Sequence, residues 1–375
     1  MINFNVPSIT ELEHQFVAKS LAGKLCGDGQ YTKEASRLFE KATGIKDMIL
    51  TTSCTHALEI AALLCDFKEG DEVILPSYTF SSTANAFLLH GAKLVFCDLR
   101  TDTLNIDENL ITNLITDKTK AIAPVHYAGV SCEMDVINNI ADKHGLFVIE
   151  DAAQAVGSTY HGRQCGDLSD FGCYSFHETK NYSMGEGGGL IIRDPDNRVK
   201  AEIIREKGTD RSRFWRGEVD KYTWRAAGSS YLPSDVLAAM LCAQLMRFDE
   251  IMQSRLNVWN TYHNAFESLE EKGWRRPIVP DGCTHNAHMY YLIAPSPGER
   301  TRVLKELVNE KGVYAVSHYE PLHASPMGIS LGYSPDDLPL TLDYAARIFR
   351  LPMWAGLSED NLQHIIKSVF EVCVN

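Results

Sequence analysis

Short apolar runs alternate with amphipathic segments between residues 46 and 193. Most of these runs are apolar at every position, which is typical of strands that are covered on both faces of a sheet. Seven runs are predicted as strands: Met48–Leu50, Glu72–Leu75, Lys93–Cys97, Ala121–Val125, Leu146–Glu150, Gly172–Phe176 and Gly189–Ile192. Three helices are predicted between the earlier strands: Thr55–Cys65, Ser81–Leu89 and Met134–Lys143. This alternation predicts an α/β fold with right-handed crossovers and a mostly parallel central sheet that has helices on both faces.

The rest of the chain predicts further helices and a smaller mixed domain. One helix is predicted near the N-terminus and two follow a charged loop: Ile9–Leu21, Ser234–Ile251 and Leu256–Lys272. Beyond Gly273 the two patterns are mixed, and the predicted elements are the strands Tyr290–Ala294 and Val313–Ser317 and the helices Arg300–Lys311 and Ser358–Phe370. We therefore predict a large domain over residues 1–250 and a small α+β domain over residues 251–375.

Composition and charge narrow the function classes. The 375 residues are 45% apolar and 23% charged, which is typical of a globular protein with about two domains. The net charge of −13 disfavours nucleic acid as a partner, because phosphate backbones attract an excess of Lys and Arg. No apolar stretch reaches the ~18 residues of a membrane span, and no secretory signal is visible. Ten scattered cysteines without a CxxC pair predict free thiols in the cytoplasm and no metal site.

The segment Leu146–Gln154 places an acid where a ligand is expected. Its apolar strand delivers Asp151 at the carboxyl end, the edge of a parallel sheet at which ligands bind. A buried carboxylate without a partner is costly, so a cationic partner is expected there. The competing interpretation, in which Asp151 caps the next helix, is equally open on this segment alone.

A second strand end carries a lysine, in the segment Gly172–Gly188. Ser175 lies near the end of the strand, and His177 and Lys180 follow in the loop before a Gly-Glu-Gly-Gly turn. A lone loop lysine is usually solvated and inactive, which is the competing interpretation. Here Lys180 lies at the same predicted sheet edge as the acid described above, where a partly neutral amine can form a Schiff base.

Small residues at the start of a helix form the third candidate. Ser53, Cys54 and Thr55 lie between the first strand and a helix, where free N–H groups and the helix dipole favour a phosphate. A plain N-cap is the alternative. Together the three segments supply what pyridoxal phosphate needs: a phosphate site, a carboxylate for its ring nitrogen and an amine for its aldehyde. Phe80 is placed to stack on the ring, although its spacing fits a core position almost as well.

Five motifs carry a resemblance to a known family. They are PSYTF at Pro76–Phe80, EDAAQ at Glu150–Gln154, SFHETKNY at Ser175–Tyr182, GEGG at Gly185–Gly188 and HYEPLH at His318–His323. With them the chain resembles, over nearly its whole length, the DegT/DnrJ/EryC1/StrS family of sugar aminotransferases. The resemblance implies the fold of the fold-type I pyridoxal-phosphate enzymes.

The resemblance also implies roles for single residues. Lys180 matches the lysine that binds the cofactor aldehyde, and Asp151 matches the partner of the pyridine nitrogen. Gln154 resembles the residue that hydrogen-bonds the ring 3-oxygen. Ser175 and the backbone N–H groups near Cys54 and Thr55 match the phosphate ligands.

Other roles depend on the substrate and on a second subunit. Many members reach the neighbouring phosphate with an Asn where this chain has Ser230. Tyr182 and His323 are predicted to contact the substrate, and His318 is expected to be structural. The loop Arg205–Arg225 carries seven basic and four acidic residues with interleaved aromatics, and the family places this region toward the partner's active site. A homodimer or higher homo-oligomer with shared active sites is therefore expected, although a solvated flap is the plainer interpretation of the loop.

A narrower resemblance implies the reaction. The segments Gly23–Gly29, Thr52–Thr55, His126–Gly129, Ser175–Tyr182 and Arg205–Asp235 are similar to transaminases that make dTDP-4-amino-4,6-dideoxygalactose for enterobacterial common antigen. The resemblance implies transfer of an amino group from L-glutamate to the 4-keto carbon of dTDP-4-dehydro-6-deoxy-D-glucose. A transaminase that acts at C3 and a non-catalytic nucleotide-sugar-binding protein are the alternatives. A related sugar dehydratase is disfavoured because such relatives have His in place of Lys180, and a nicotinamide dehydrogenase because GxGxxG spacing is missing.

Overall fold

The computed structural model describes residues 1–374. Within them the α-helices are α1 (Glu11–Ser20), α2 (Gln30–Thr43), α3 (Cys54–Leu64), α4 (Ser81–Leu88), α5 (Glu108–Leu114), α6 (Met134–His144), α7 (Pro195–Arg205), α8 (Arg211–Trp215), α9 (Asp235–Met246), α10 (Phe248–Ala265), α11 (Pro297–Asn309), α12 (Pro326–Ser330), α13 (Pro339–Arg347) and α14 (Glu359–Val374). The strands are β1 (Ile49–Thr51), β2 (Glu72–Pro76), β3 (Lys93–Cys97), β4 (Thr119–Ile122), β5 (Phe147–Asp151), β6 (Thr159–Tyr160), β7 (Arg163–Gln164), β8 (Phe171–Ser175), β9 (Gly188–Ile192), β10 (Cys283–Thr284), β11 (Tyr290–Ile293) and β12 (Ile348–Leu351).

Seven strands form the central sheet, in the order β1-β9-β8-β5-β4-β2-β3. Only β9 runs antiparallel to its two neighbours, β1 and β8, so the mostly parallel α/β sheet that the sequence predicts is confirmed. The carboxyl ends of β1, β2, β5 and β8 therefore share one edge of the sheet. Each predicted strand of this region is present, with ends that differ by at most three residues.

Both faces of the sheet are covered by buried apolar side chains. Val73 and Leu75 of β2 face a cluster built with α3 and α4, whereas Ile74 between them faces a cluster built with α2, α6 and α9. Successive residues of a strand point to opposite faces, and here both faces are dry. This double burial explains why the strands are apolar throughout.

A third cluster forms the core of the C-terminal part. It extends from Val258 on α10 to Cys373 on α14 and covers one face of the two-stranded sheet β11–β12, the face of Tyr290, Leu292, Phe349 and Leu351. The change from one cluster to the next falls within α10, close to the boundary predicted at residue 250, and the division into two domains stays a prediction.

Several details differ from the sequence predictions. The helix expected over Ser234–Ile251 is two helices, α9 and α10, that meet at Arg247. The strand expected over Val313–Ser317 is wrong, because that segment forms only isolated bridges, from Val313 to Ile2 and from Val316 to Arg350. Several elements were not predicted, namely α2, α5, α7, α8, α12, α13, β6, β7, β10 and β12. Within residues 1–374 the structure has no helix that is both long and apolar enough to span a bilayer.

Candidate active site

A cavity of about 680 Å³ opens at the carboxyl edge of the central sheet. Its floor comes from residues at the ends of β5 and β8 and at the start of α3, and its roof comes from the C-terminal part of the chain. Ligands of parallel α/β sheets collect at this edge, so the position agrees with a binding site. The residues predicted from the sequence that line it are Ser53, Cys54, Thr55, Phe80, Asp151, Gln154, Ser175 and Lys180.

Asp151 is a buried acid with two hydrogen-bond donors and no cation. Thr83 Oγ1 donates to Asp151 Oδ2 at 2.7 Å, and the backbone N–H of Ala153 donates to Oδ1 at 3.1 Å. Both carboxylate oxygens of the preceding residue, Glu150, already have hydrogen-bond partners. His126 Nε2 lies 2.8 Å from Oε2, and the backbone N–H groups of Gly166 and Leu168 donate to Oε2 and Oε1. Within residues 1–374 Asp151 forms no ion pair. The strand end therefore presents a carboxylate without a cationic partner to the cavity.

A hydroxyl chain from α4 holds Asp151 in place. Thr83 Oγ1 lies 2.9 Å from Thr79 Oγ1, and Thr79 itself lines the cavity. Both threonines are buried. This chain of hydroxyl groups fixes the position of the Asp151 carboxylate at the cavity.

Gln154 is held by groups on both sides. Its Oε1 accepts a hydrogen bond from the backbone N–H of Ala128 at 2.7 Å, and its Nε2 donates to the hydroxyl of Tyr319 at 3.0 Å. Ala128 has a positive φ of 57°, a conformation that side chains other than glycine rarely adopt, and it turns this N–H toward the glutamine. Burial raises the pKa of Tyr319 to about 12, so its hydroxyl keeps its proton.

Lys180 lies in the loop after β8, and it lines the same cavity as Asp151. The loop is folded back on itself, because Lys180 N–H donates to the carbonyl of His177 at 2.9 Å. Burial lowers the pKa of Lys180, and the positive charge of Arg350 lowers it further, whereas the charge of Asp151 raises it. A lysine amine with a lowered pKa is neutral in a larger fraction of molecules and is therefore a better nucleophile.

The N-terminus of α3 forms an anion cup. Ser53 caps the helix by accepting from the backbone N–H of His56 at 3.1 Å, and Thr55 Oγ1 donates to Ser82 Oγ at 2.8 Å. The first N–H groups of a helix have no partner within it, and the helix dipole adds positive potential. Gly188 lies against this turn so closely that a Cβ would be 2.3 Å from the carbonyl carbon of Ser53. The cup suits a phosphate group.

The sequence profile of the DegT/DnrJ/EryC1/StrS aminotransferase family matches residues 7–370. This chain belongs to that family. Spore coat polysaccharide biosynthesis protein SpsC of Bacillus subtilis is 32% identical over 98% of this chain and 96% of its own length. GDP-perosamine synthase of Caulobacter vibrioides is 33% identical, with 92% of this chain and 91% of the relative covered.

Solved structures share the fold of the whole chain. The aminotransferase TlmJ of Streptoalloteichus hindustanus superposes with a TM-score of 0.91 at 29% identity, covering 100% of this chain and 99% of that one. Spr1654 of Streptococcus pneumoniae, in its PMP form, has a TM-score of 0.92 at 26% identity and covers 100% and 98%. The expected fold type I of the pyridoxal-phosphate aminotransferases is confirmed.

The enzymes of this family depend on pyridoxal phosphate, and the cavity fits that cofactor. A phosphate fits the cup at the start of α3. The unpaired carboxylate of Asp151 fits a protonated ring nitrogen, and Lys180 offers an amine with a lowered pKa for the aldehyde. Phe80 lines the cavity with a side chain that is 58% exposed, so its ring is available to stack. No cluster within residues 1–374 could hold a metal ion.

Three predicted residues lie outside this cavity. The ring of Tyr182 stacks on Phe248 with centroids 4.5 Å apart, and its hydroxyl donates to the carbonyl of Phe248, so it is a core residue. His323 is fully buried between Ser77 Oγ, 2.7 Å from Nδ1, and the carbonyl of Pro335. Both ring nitrogens of His323 therefore already have hydrogen-bond partners. Ser230 is exposed on the surface, where it pairs with Glu206 through the backbone.

The C-terminal part contributes residues that the sequence did not mark as functional. His318, expected to be structural, lines the cavity, and its Nδ1 lies 2.6 Å from the hydroxyl of Tyr127. Burial lowers the pKa of His318 well below its ordinary value, so the ring is neutral. His288 and Arg350 line the cavity as well. Of these residues only His318 belongs to the HYEPLH motif, and the substrate contact predicted for its second histidine, His323, stays a prediction.

Proposed function

We propose that this chain transfers an amino group from L-glutamate to C4 of dTDP-4-dehydro-6-deoxy-D-glucose, giving dTDP-4-amino-4,6-dideoxy-D-galactose. The observation that carries the proposal is that Lys180, Asp151 and the N-terminus of α3 line one cavity. The family membership supplies the reaction class. The sugar and the donor rest on the sequence resemblance.

In this proposal each group has a separate task. Bound pyridoxal phosphate supplies an electron sink for the bond that breaks at Cα of the donor. Asp151 keeps the ring nitrogen protonated, and each pKa unit it adds there corresponds to about 1.4 kcal/mol. Gln154 bonds the ring 3-oxygen, and Ser53, Cys54, Thr55 and Ser175 hold the phosphate. Lys180 Nζ takes the proton from the donor Cα and, in the second half of the reaction, delivers a proton to C4 of the sugar.

Named relatives support amination of a nucleotide sugar at C4. One relative, dTDP-4-dehydro-2,3,6-trideoxy-D-glucose 4-aminotransferase of Saccharopolyspora spinosa, is 29% identical over 97% of this chain. Another, dTDP-3-amino-3,4,6-trideoxy-alpha-D-glucose transaminase of Micromonospora megalomicea, is 30% identical over 92%. Because its name places the amine at C3, the C3 alternative is retained as an outcome of the test.

The proposal includes a homodimer in the cytoplasm. The loop Arg205–Arg225 exposes Trp215 and Trp224, and Ser230 lies exposed beside it, which supports contact with a second copy. In this arrangement the hydroxyl of Ser230 reaches the phosphate in the neighbouring subunit. All ten cysteines are free thiols, which supports a reducing compartment.

Product analysis tests the reaction. The chain is incubated with dTDP-4-dehydro-6-deoxy-D-glucose and L-glutamate, and NMR of the sugar ring assigns the aminated carbon and its configuration. The proposal predicts an axial amine at C4. A 3-amino product would establish the C3 alternative. If no product forms, the result favours the alternative of a non-catalytic nucleotide-sugar-binding protein.

A lysine variant tests the site independently of the sugar. We expect Lys180→Ala to bind the cofactor but to turn over less than about 10⁻³ as fast as the wild type, because both proton transfers need the amine. Borohydride treatment should attach the cofactor covalently to Lys180 of the wild type, as read by peptide mass. Lys118→Ala, which removes an exposed lysine far from the cavity, is the control. Substantial transamination by Lys180→Ala would refute the assignment.

A further inference from the structure

A buried histidine of the cavity, His288, has no task in the reaction described above. It lies two residues before β11 and lines the cavity together with Lys180. Its Nδ1 lies 3.0 Å from Oδ1 of Asn181. Its other ring nitrogen, Nε2, forms no hydrogen bond with any residue in the described part of the chain. Nε2 is therefore the ring atom that remains available to the cavity.

The contact with Asn181 decides which ring nitrogen of His288 carries the proton. A backbone carbonyl can only accept, so the amide atom of Asn181 that lies 2.7 Å from the carbonyl of Asn286 must be the donor, Nδ2. The other end of the same amide, Oδ1, is then an acceptor, and a neutral His288 donates to it from Nδ1. Nε2 consequently carries a lone pair and no proton.

Asn286 is held in place on its other side. Its own Nδ2 donates to the carbonyl of Gln154 at 2.8 Å. Asn181 follows Lys180 directly in the chain and is itself buried. Through these two amides the ring of His288 is tied to the lysine loop and to the segment after β5, so its orientation is fixed from the cofactor side of the cavity.

The surroundings keep the His288 ring neutral. Burial lowers the pKa of His288 well below its ordinary value. Four neighbouring basic groups lower it further, namely Lys180, Arg255, Arg350 and His318. Arg255 also fixes the backbone here, since its Nη2 donates to the carbonyl of His288 at 2.6 Å. A ring with so low a pKa can accept a hydrogen bond without taking the proton.

Lys180 lacks a fixed acceptor for its amine. Within residues 1–374 its Nζ forms no hydrogen bond and no ion pair. The groups that act on its charge are Cys54, Asp151 and Arg350. Burial raises the pKa of the Cys54 thiol, which stays neutral, and the carboxylate of Asp151 is the partner of the cofactor ring nitrogen. An ammonium that forms at Nζ needs an acceptor in this buried place, and Nε2 of His288 is a neutral one.

The two other histidines of the lining offer no such defined lone pair. Nδ1 of His177 accepts from the backbone N–H of Thr179 at 3.3 Å, so a neutral His177 carries its proton on Nε2. Nδ1 of His318 lies 2.6 Å from the hydroxyl of Tyr127, which can donate or accept, so its tautomer is not fixed. The hydrogen bonds around His288 leave only one tautomer.

We infer that His288 is a positioning residue for Lys180, that its Nε2 accepts a hydrogen bond from Nζ, and that Asn181 holds the ring in the tautomer this bond requires. The bond aims the amine and stabilises the ammonium that forms when Nζ takes a proton. The proton stays on Lys180 and does not pass to His288. The inference rests on the proposed function in taking Lys180 as the amine that moves the proton in both halves of the reaction.

The first test follows the two half-reactions of the holoenzyme separately. The spectrum of the bound cofactor is recorded in single turnover against L-glutamate and, for the return reaction, against the keto sugar. Because Lys180 acts in both, His288→Leu should lower both limiting rates by a similar factor, about 10- to 100-fold, the range of a hydrogen bond to a charged group. The half-saturating concentrations of the two substrates should change little.

A conservative variant and a matched control complete this test. His288→Gln places an amide oxygen near the position of Nε2, so it should recover most of the rate that His288→Leu loses. His263→Phe is the control, because His263 lies outside the cavity and its ring stacks on Trp259 with centroids 4.5 Å apart. Its buried Nδ1 has no hydrogen-bond partner to lose. This variant should match the wild type.

The pH dependence of cofactor attachment provides a readout that needs no turnover. Pyridoxal phosphate is added to the full chain from which the cofactor has been removed, and the rate of attachment to Lys180 is measured against pH. An acceptor bonds the ammonium more strongly than the neutral amine and so raises the pKa of Lys180. His288→Leu should therefore move the midpoint about one pH unit lower, and His288→Gln should stay near the wild type. Asn181→Ala, which frees the ring to change tautomer, should shift it the same way but less.

Three results would overturn the inference. One is wild-type limiting rates in both half-reactions of His288→Leu. Another is a defect confined to glutamate or to the keto sugar, since His288 would then contact that substrate alone. The third is a midpoint that stays in place or rises in His288→Leu, or an equal loss in His288→Gln, since His288 would then have a purely structural role.

Failure of the proposed function gives a different result. If the wild type does not aminate dTDP-4-dehydro-6-deoxy-D-glucose, the proposed substrate is wrong, and the attachment profile still tests His288. If borohydride does not attach the cofactor to Lys180, the proposed lysine is wrong and the inference fails with it. Thermal unfolding shows which variants are folded, and Asn181→Ala and His288→Gln carry the pH test if His288→Leu is not.

Discussion

At the scale of single residues, the protonation of Lys180 controls how readily its amine reacts with an aldehyde. Burial lowers the pKa of this amine from the ordinary value of 10.5. The neutral amine is the reactive form, so a lowered pKa moves the onset of reaction to lower pH. We therefore expect the rate at which pyridoxal phosphate reattaches to the cofactor-free protein to rise with pH and to reach half its plateau below pH 10.5.

A variant of Arg350 tests the direction in which a neighbouring charge shifts the pKa of Lys180. Its positive charge lowers the pKa of Lys180, so Arg350→Met should move the midpoint of the reattachment profile to higher pH. Arg347→Met, whose charge is compensated by Asp343, should leave the midpoint in place. Stopped-flow absorbance of the attached cofactor measures both profiles. A wild-type midpoint at or above the ordinary lysine value would contradict the prediction.

Single residues also show how much of the site the sequence reveals. Asp151 and Lys180 follow strands that are apolar throughout, so their places at one sheet edge could be predicted from the chain alone. His318 and His323 lie in an irregular loop without periodicity, and a short turn that begins after Pro321 sends His323 into the core. The choice between two such histidines depends on packing against Ser77 and Tyr127, which no local pattern encodes.

At the scale of elements, the fit between β9 and the start of α3 is the tightest contact of the site. At Gly188, the first residue of β9, a Cβ would lie 2.3 Å from the carbonyl carbon of Ser53 and 2.4 Å from the backbone nitrogen of Cys54. Both are backbone atoms and cannot move without displacing the helix end. We expect Gly188→Ala to weaken pyridoxal phosphate binding at least about tenfold, because it disturbs the N–H groups that receive the phosphate.

The neighbouring glycine provides a control for this prediction. A Cβ at Gly189 would meet Sδ, the thioether sulfur of Met48, which belongs to a flexible side chain that can shift. Gly189→Ala should therefore cost less cofactor affinity than Gly188→Ala. Equilibrium titration of the cofactor-free variants, with thermal unfolding beside it, gives both values. Equal loss in the two variants would show that general destabilisation of β9, not the phosphate cup, is responsible.

Elements differ in how far the sequence predicts them. The strands of the central sheet and the helices α3, α4 and α6 were predicted because their patterns are local, whereas α5 between β3 and β4 was not predicted. The helix α2 was not, because it has no local cap: Asp235 on α9 accepts from the backbone N–H groups of Tyr31 and Thr32. The strand β12 was also missed, since its four residues are ordered by pairing with β11 and not by a run of their own.

At the scale of the whole molecule, the cavity joins distant parts of the chain. Phe4, Lys180 and Arg350 line one space although more than 150 residues separate each from the next. A single sequence carries no signal for such a juxtaposition when the residues belong to no recognised motif. The sequence therefore predicted the cofactor side of the cavity and not the side that Phe4 and Arg350 line.

The proposed homodimer is also tested at the scale of the whole molecule. In the loop Arg205–Arg225, Trp215 is 69% and Trp224 is 78% exposed, which is unusual for the side chains that contribute most to interfaces. We expect the double variant Trp215→Ala, Trp224→Ala to raise the dissociation constant of the dimer at least about tenfold in sedimentation experiments. Leu89→Ala, at a residue that is also 69% exposed, is the matched control and should leave the dimer intact.

In the proposed homodimer, the interface and the active site are linked through Ser230, and cofactor binding tests this link. If Ser230 of one subunit bonds the phosphate in the other, dilution of the tryptophan variant should release the cofactor together with dissociation into monomers. Ser230→Ala should weaken cofactor binding about 2- to 10-fold without changing the dimer, since it removes one hydrogen bond, and Ser229→Ala should have neither effect. A tryptophan variant that becomes monomeric and keeps its full cofactor affinity would show that each subunit holds the phosphate alone.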